Sequence, residues 1–421
     1  MSAAGVLSER KASAVGSLGS AATASNLAIA CASVFILALV IRLGYVLGAR
    51  LLHLDTSFFA DDSKIYDAIA RSLLAGQGWQ LLGAPSAFVG PVYPMYVAVV
   101  YKLFGFSLLA IGISQSLLGA LTVAVIARTA GLLRGLGAAW AAGLIAAVYP
   151  HLIFWTGHLL TETLFVFLAM VGLWLLCEAH IKDRPVWYLE AGLVLGLGAL
   201  TRPQLLAFVP VAFAVAWAMG GRKGLARGGA IVIGTLALIV PWTVRNATVV
   251  GIATPVSTES PFVMWQGNSP GATGGSRGYV DDQDFKSLPL PPGITEAQQY
   301  HVYSQAVRDY LTQHPLSLIQ RIPAKLWNQW RPVYAGSSLR NWLVTGVSYL
   351  FLVVCAAVGL VFTRKGEPRA VRYPQFFLLT LLGMNVIVTG MIRFRLPMEA
   401  AMAAFAGITC AWLWTKHFSS Q

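Results

Sequence analysis

The sequence predicts an all-α polytopic membrane protein, and three observations carry that prediction. Of 421 residues, 57% are hydrophobic and only 11% are charged, whereas a soluble domain carries about 25% charged residues. Mean hydropathy is +0.66. Apolar runs of roughly the 20 residues that a helix needs to cross hydrocarbon recur near 26–49, 107–127, 136–156, 159–178, 187–203, 204–220, 229–250, 341–362, 373–392 and 397–416.

Residues 1–25 are rich in Ala, Ser and Gly, with Arg10 and Lys11, and read as a disordered cytoplasmic tail. The run at 26–49 is too long for a signal-peptide core and has no cleavage site, so it reads as an uncleaved first span. A further run at 91–105 is short for a span. Pro91 and Pro94 stand at its start, where a helix tolerates them. Orientation decides its role. If 91–105 lies on the surface, then Arg128, Arg134, Lys182, Arg184, Arg222, Lys223, Arg227, Arg364, Lys365, Arg369 and Arg372 all fall on one side. That is the cytoplasmic side by the positive-inside rule. The chain is then expected to have about ten spans, both ends inside, with 91–105 a juxtamembrane helix. A module at 26–250 would carry a first outer loop at 50–106. A large extracytoplasmic loop at 251–340 would precede C-terminal membrane helices at 341–421. Short outer turns fall near 156–160, 201–204 and 393–397.

Within the first outer loop, Ile65, Ala68, Ile69 and Leu73 share one side of a helix that begins near Asp61, which predicts an interfacial amphipathic helix. Gly76, Gly78 and Pro85 break it. In the large loop, Gly267 to Gly275 is turn-rich and Asp281, Asp282 and Asp284 follow. A helical pattern runs from Thr295 to Gln313, with Thr295 as N-cap.

Composition also excludes some functions. The net charge of +13 is explained by basic cytoplasmic loops, and no Lys/Arg run with interleaved aromatics marks a nucleic-acid surface. No GxxxxGK[ST] or GxGxxG motif follows a strand, so an ATP-driven pump has no engine here. Cys31, Cys177, Cys355 and Cys410 lie in or beside apolar runs without CxxC spacing; they read as small core residues, not as a metal or disulfide set.

The candidate chemistry lies where ionisable residues meet apolar helix ends. Asp61 and Asp62 are adjacent carboxylates at a helix N-terminus, where negative charge is favoured. They read as a helix cap with a solvated neighbour, as a general base, or as part of a divalent-cation site for Mg²⁺ or Mn²⁺. Glu162 sits in an apolar stretch and needs a partner or water, unless with Thr161 it caps the following helix. His158 reads as a packed interfacial histidine or a substrate contact. Arg202, Arg245, Arg393 and Arg395 all fall at outer helix ends, where Arg is depleted. Either they snorkel to headgroups or together they hold an anion, since the guanidinium fork matches phosphate.

Five segments together resemble the C-type membrane glycosyltransferases, in particular the protein mannosyltransferases and lipid A aminoarabinose transferases. They are Asp61 to Gly78, Gly90-Pro91-Val92-Tyr93-Pro94, and the turns Leu160 to Leu164 with Leu200 to Pro203. Pro241 to Asn246 with Gly267 to Gly274 is the fourth, and Arg393 to Glu399 the fifth. The match spans roughly 35–410. A second Asp of some relatives is replaced by Thr161 and Glu162 here, and no soluble C-terminal domain is evident. The resemblance implies a glycosyltransferase-type bundle with outer juxtamembrane helices, in a bacterial cytoplasmic membrane. It also implies a polyprenyl-phosphate-sugar donor and Asp62 as catalytic base, through its spacing to Tyr66, with Asp61 as helper. On that reading the arginines hold the donor phosphate. Glu162 orients the acceptor or stabilises positive charge. Tyr66, His158, Trp265 and Asn268 contact substrate, and the loop at 265–275 closes on glycine hinges. The acceptor is a lipid, glycan or protein. A secondary transporter or flippase, or a glycan ligase using a polyprenyl-diphosphate donor, remains the alternative.

Overall fold

The computed structural model describes residues 3–53, 59, 61–275, 288–334, 336–363 and 368–418, with backbone alone at 3–23, 61 and 418. In chain order the helices are α1 (Ala3–Leu51), α2 (Asp61–Leu74), α3 (Val92–Phe104), α4 (Leu108–Arg134), α5 (Leu136–Val148), α6 (Pro150–Phe154), α7 (Glu162–Ile181), α8 (Pro185–Thr201) and α9 (Phe208–Arg245). They continue with α10 (Ser260–Asn268), α11 (Glu296–Gln313), α12 (Ser317–Gln320), α13 (Ile322–Trp330), α14 (Leu339–Asn341), α15 (Val347–Phe362), α16 (Arg372–Ile387) and α17 (Leu396–Phe418). A two-stranded antiparallel hairpin, β1 (Gln80–Leu81) with β2 (Ala84–Pro85), pairs Gln80 with Pro85 and Leu81 with Ala84. The expected tail falls almost wholly on positions whose side chains lie outside the described residues, and so do Arg364, Lys365 and the acidic run at 281–284.

Seven helical stretches among the described residues are long and apolar enough to cross a membrane, or eight if the bent pair α5–α6 is one span. The expected ten differ in two places. The stretch Pro203–Val250 counts once by length, yet Gly221 (φ +53°) breaks the helix within it. Helix α8 is 17 residues long and falls just short. Helix α3, at 13 residues, is also too short to span. It buries Tyr93, Val97, Val100 and Tyr101 and turns Met95, Val99 and Leu103 outward, one turn apart. Two apolar faces on a short helix suit the boundary between protein and lipid.

The core runs the length of the bundle along α4, α5, α7, α8, α9 and α17, where small residues let backbones approach. Its costliest feature is Arg42, fully buried within the first span. The reason lies in the chain break that it faces. Pro150 has no N–H to give the carbonyl of Ala146, and α5 and α6 bend by 57° there. Arg42 supplies the missing donors, Nη2 to Ala146 O at 3.3 Å and Nη1 to Ala147 O at 3.1 Å. Arg42→Met should therefore strand two carbonyls in an apolar interior and cost about 2–5 kcal/mol, read as a fall in thermal unfolding midpoint in a fixed detergent.

The two ends of the bundle differ in charge. At the C-terminal end of α7, buried Glu178 accepts from Arg128 Nη2 at 2.8 Å and pairs with Lys182; nearby Arg227 pairs with Asp183. Tyr373, in the first turn of α16, stacks edge-on to His180 there. The opposite end of α7 lies about 30 Å away at 1.5 Å per residue. It carries α2, the hairpin, the start of α10 and the 3-10 turn Ile392–Arg395. Helix α11 begins as expected, with a capping box between Thr295 and Gln298. It packs on α10 through Tyr303 and Trp265.

Candidate active site

Five chain segments deliver charged side chains to the N-terminal end of α7. The first is α2. Its Ala70 is buried against α3 and its Ile69 is fully buried, and Ser63 Oγ donates to Leu159 O at 2.9 Å. That bond fixes the helix start, so Asp62 and Tyr66, one turn apart, face the bundle. The second is Thr161 and Glu162 at the start of α7. The third is Arg202, which follows the last residue of α8. Gly90 sets the height of that helix end, because a Cβ there would lie 2.1 Å from Leu200 O. Gly90→Ala should push α8 outward and cost about 1–3 kcal/mol of stability by overpacking, read as a fall in thermal unfolding midpoint in a fixed detergent. The fourth segment brings Glu259, just before α10. The fifth brings Arg393, in the turn ahead of α17.

Asp62, Arg393, Glu162 and Arg202 form one alternating network. Arg393 Nη1 donates to Asp62 Oδ2 at 3.0 Å, and its Nε lies 3.9 Å from Glu162 Oε1. Arg202 Nη2 donates to the same Glu162 oxygen at 2.6 Å, and its Nε to Thr161 Oγ1 at 2.6 Å. The Phe394 ring lies beside both guanidiniums, at 5.3 Å and 5.6 Å. Glu162 is 1% exposed and Asp62 is 45% exposed. The buried carboxylate thus spaces the two cations, and the open one faces the outside. Burial, and next the Glu259 carboxylate, raise the Tyr66 phenol well above its ordinary value, so it stays a hydrogen-bond donor. Burial, with Asp62 nearby, pushes Glu259 up to about 7 against the pull of Arg393 and Arg202.

The sequence-derived candidates divide accordingly. Asp62, Tyr66, Glu162, Arg202 and Arg393 come together. Asp61 opens α2, but its side chain lies outside the described residues. His158 sits at the margin, with Nδ1 3.0 Å from Phe154 O, and burial holds its imidazole toward the neutral form. Thr161 and Glu162 do not cap α7 through their side chains.

The remaining candidates are engaged elsewhere, which corrects the picture of four arginines around one pocket. Arg245 donates to Ser86 O at 2.5 Å and Trp79 O at 3.3 Å, and pins the hairpin loop to the end of α9. Arg395 is buried. It donates to Glu399 Oε1 at 2.5 Å, Gln329 O at 2.8 Å and Arg331 O at 2.6 Å, and its guanidinium lies 3.6 Å from the Tyr349 ring centroid. Glu399 also faces His151 Nδ1 at 2.6 Å. Asn268 Nδ2 donates to Ile387 O and Val388 O, while its Oδ1 accepts from the buried Lys325 ammonium at 2.7 Å. Burial pushes that ammonium down to about 8. Trp265 packs with Tyr310. A Cβ on Gly267 would lie 2.0 Å from Val388 O, so this glycine serves close packing where a hinge was expected.

Among the described residues, no three His, Cys, Asp or Glu side chains stand together to hold a metal ion. Asp62 and Glu162 each already face a guanidinium. Sequence reasoning missed Glu259. Its setting, Ser257-Thr258-Glu259-Ser260 ahead of an apolar helix, reads as an ordinary helix start, yet its side chain makes no cap bond.

The helical bundle with its short outer helices has the fold of the C-type membrane glycosyltransferases. The particular likenesses are these. Residues 88–244 match the family model described as dolichyl-phosphate-mannose-protein mannosyltransferase; that stretch holds Glu162 and Arg202 but not Asp62, Glu259 or Arg393. The archaeal oligosaccharyltransferase AglB from Archaeoglobus fulgidus, solved with an inhibitory peptide and a dolichol-phosphate, superposes with a TM-score of 0.57 at 15% identity. The alignment covers 92% of this chain and 50% of AglB. The apo form of the Archaeoglobus fulgidus oligosaccharyltransferase gives 0.56 at 14%, covering 92% and 51%. ArnT from Cupriavidus metallidurans bound to undecaprenyl phosphate gives 0.39 at 16%, covering 87% and 79%. The chain thus spans about half the length of the oligosaccharyltransferases that it matches. No curated protein matches it in sequence.

Proposed function

We propose that this chain is a glycosyltransferase that moves a sugar from a polyprenyl-phosphate donor to an acceptor at the extracytoplasmic membrane face, with Asp62 as general base. The observation that carries the reading is the open Asp62 carboxylate 3.0 Å from Arg393, with Arg202 held one buried carboxylate away. A base and two cations in one cleft are what glycosyl transfer from a phosphate requires. The acceptor oxygen or nitrogen bonds to the anomeric carbon as the bond to the phosphate oxygen breaks. Asp62 takes the acceptor proton. The electron pair leaves with the phosphate, where Arg202 and Arg393 meet the growing negative charge. Tyr66 donates a hydrogen bond at the edge of the cleft. One displacement of this kind inverts the anomeric centre.

Two further observations support the reading. The fold is that of oligosaccharyltransferases, one of them solved with a dolichol-phosphate. The basic loops lie at the end of α7 opposite the cleft; by the positive-inside rule that end is cytoplasmic, so the cleft opens outward in a bacterial cytoplasmic membrane. The lipid tail of the donor then stays in the outer leaflet beside α3. The test uses purified protein in proteoliposomes with sugar donors linked through one phosphate or two. Release of polyprenyl monophosphate from the first is expected. Turnover of the diphosphate-linked donor alone would replace this reading with a glycan ligase, and movement of intact donor across the bilayer would replace it with a flippase.

A further inference from the structure

Arg42 has a donor that the bend at Pro150 does not use. Its Nη1 donates to Ala38 O at 3.3 Å and Ala147 O at 3.1 Å, and its Nη2 to Ala146 O at 3.3 Å. Its Nε–H meets no acceptor among the described residues, although the side chain is fully buried. No carboxylate pairs with this guanidinium among the described residues either. The Nε faces α4. A Cβ built on Gly119 would lie 2.8 Å from it, so the glycine is what leaves room in front of the donor. That room is a cavity walled by Arg42, Gly119, Thr122, Trp155 and Thr163 among others, with about 10 Å³ for the centre of a water-sized sphere. Trp155, 4% exposed, is a second wall residue whose N–H meets no acceptor among the described residues. The hydroxyl protons of Thr122 and Thr163 are committed to Leu118 O at 2.8 Å and Trp155 O at 3.1 Å. Their oxygens keep lone pairs only.

A buried donor without an acceptor is destabilising, and more so on a cation that has no counter-charge. We infer that this cavity is a site for a single hydrogen-bond acceptor of water size, held as a water molecule or as a chloride ion. The guest accepts from Arg42 Nε and Trp155 Nε1, and so joins α1 to the turn between α6 and α7. A cavity of this size has room for one such guest and for no organic molecule. Thr163, on its wall, follows Glu162 in the chain, so the guest braces the first turn of α7, which carries the buried acid of the cleft. The site stands whether or not the donor reading above holds.

The test is diffraction from crystals of the full chain grown in chloride and in bromide. Density about 3 Å from Arg42 Nε is expected in both. An anomalous signal at that place in the bromide crystals assigns a halide, and density without the signal assigns a water. Gly119→Ala sets a methyl group on the spot, and the density should be lost. Trp155→Phe keeps the ring and removes one donor, and the occupancy of the site should drop. No density in the wild-type protein, at a resolution that shows other buried waters, would overturn the assignment. Density that both Gly119→Ala and Trp155→Phe leave unchanged would overturn it as well.

Discussion

Turnover by the Asp62→Asn variant is expected to fall about 10²–10⁴-fold, the share of rate that a positioned general base supplies. The substitution keeps size and shape, and the amide oxygen can still accept from Arg393. The fold and donor affinity should therefore persist, because Glu162, Arg202 and Arg393 keep their own contacts. Product formation in proteoliposomes reads the first, and equilibrium binding of the donor reads the second. Wild-type turnover in this variant would remove Asp62 from the chemistry.

Arg202→Met is expected to cost about 3–5 kcal/mol of stability, since it leaves Glu162 as a buried charge with a weakened partner. The remaining cation, Arg393, stands 3.9 Å off and is also engaged with Asp62. Adding Glu162→Leu to Arg202→Met removes the stranded charge and should recover most of the loss, because apolar pairs of similar volume replace buried ion pairs at little cost. Activity should stay absent in both. Chemical unfolding midpoints of wild type, single and double variants in one detergent give the comparison. If Arg202→Met were as stable as wild type, Glu162 would have to be hydrated.

Much of this molecule was legible in its sequence, and the part that was not has a common cause. The spans follow from hydropathy, and the opposition of the two ends follows from Lys and Arg placement. Thr295 announced the start of α11 because N-capping is a local interaction. Asp62, Glu162 and Arg202 each stood out because an ionisable group at an apolar helix end must meet a partner, whereas Tyr66 came from the family resemblance. The same rule overcalled Arg245 and Arg395, and the resemblance overcalled Asn268. Their partners are main-chain carbonyls near the ends of helices and in loops, at Ser86, Gln329, Arg331, Ile387 and Val388. An outer arginine that quenches orphaned carbonyls and one that faces a substrate look alike in one dimension; only the three-dimensional position of the loose carbonyl separates them. Glu259 was passed over for the converse reason. An acid ahead of a helix normally has a local task, and its lack of one is visible only once α2 and the turn before α17 are seen beside it.

The contact between Arg42 and the bend at Pro150 bears on how the chain is built into the bilayer. A segment with two loose carbonyls is poorly soluble in lipid on its own, and each exposed group there costs several kcal/mol. The first span carries the remedy and leaves the ribosome before the bent segment does. α1 thus reaches the bilayer ahead of α5 and α6 and already carries the donors that their bent segment lacks.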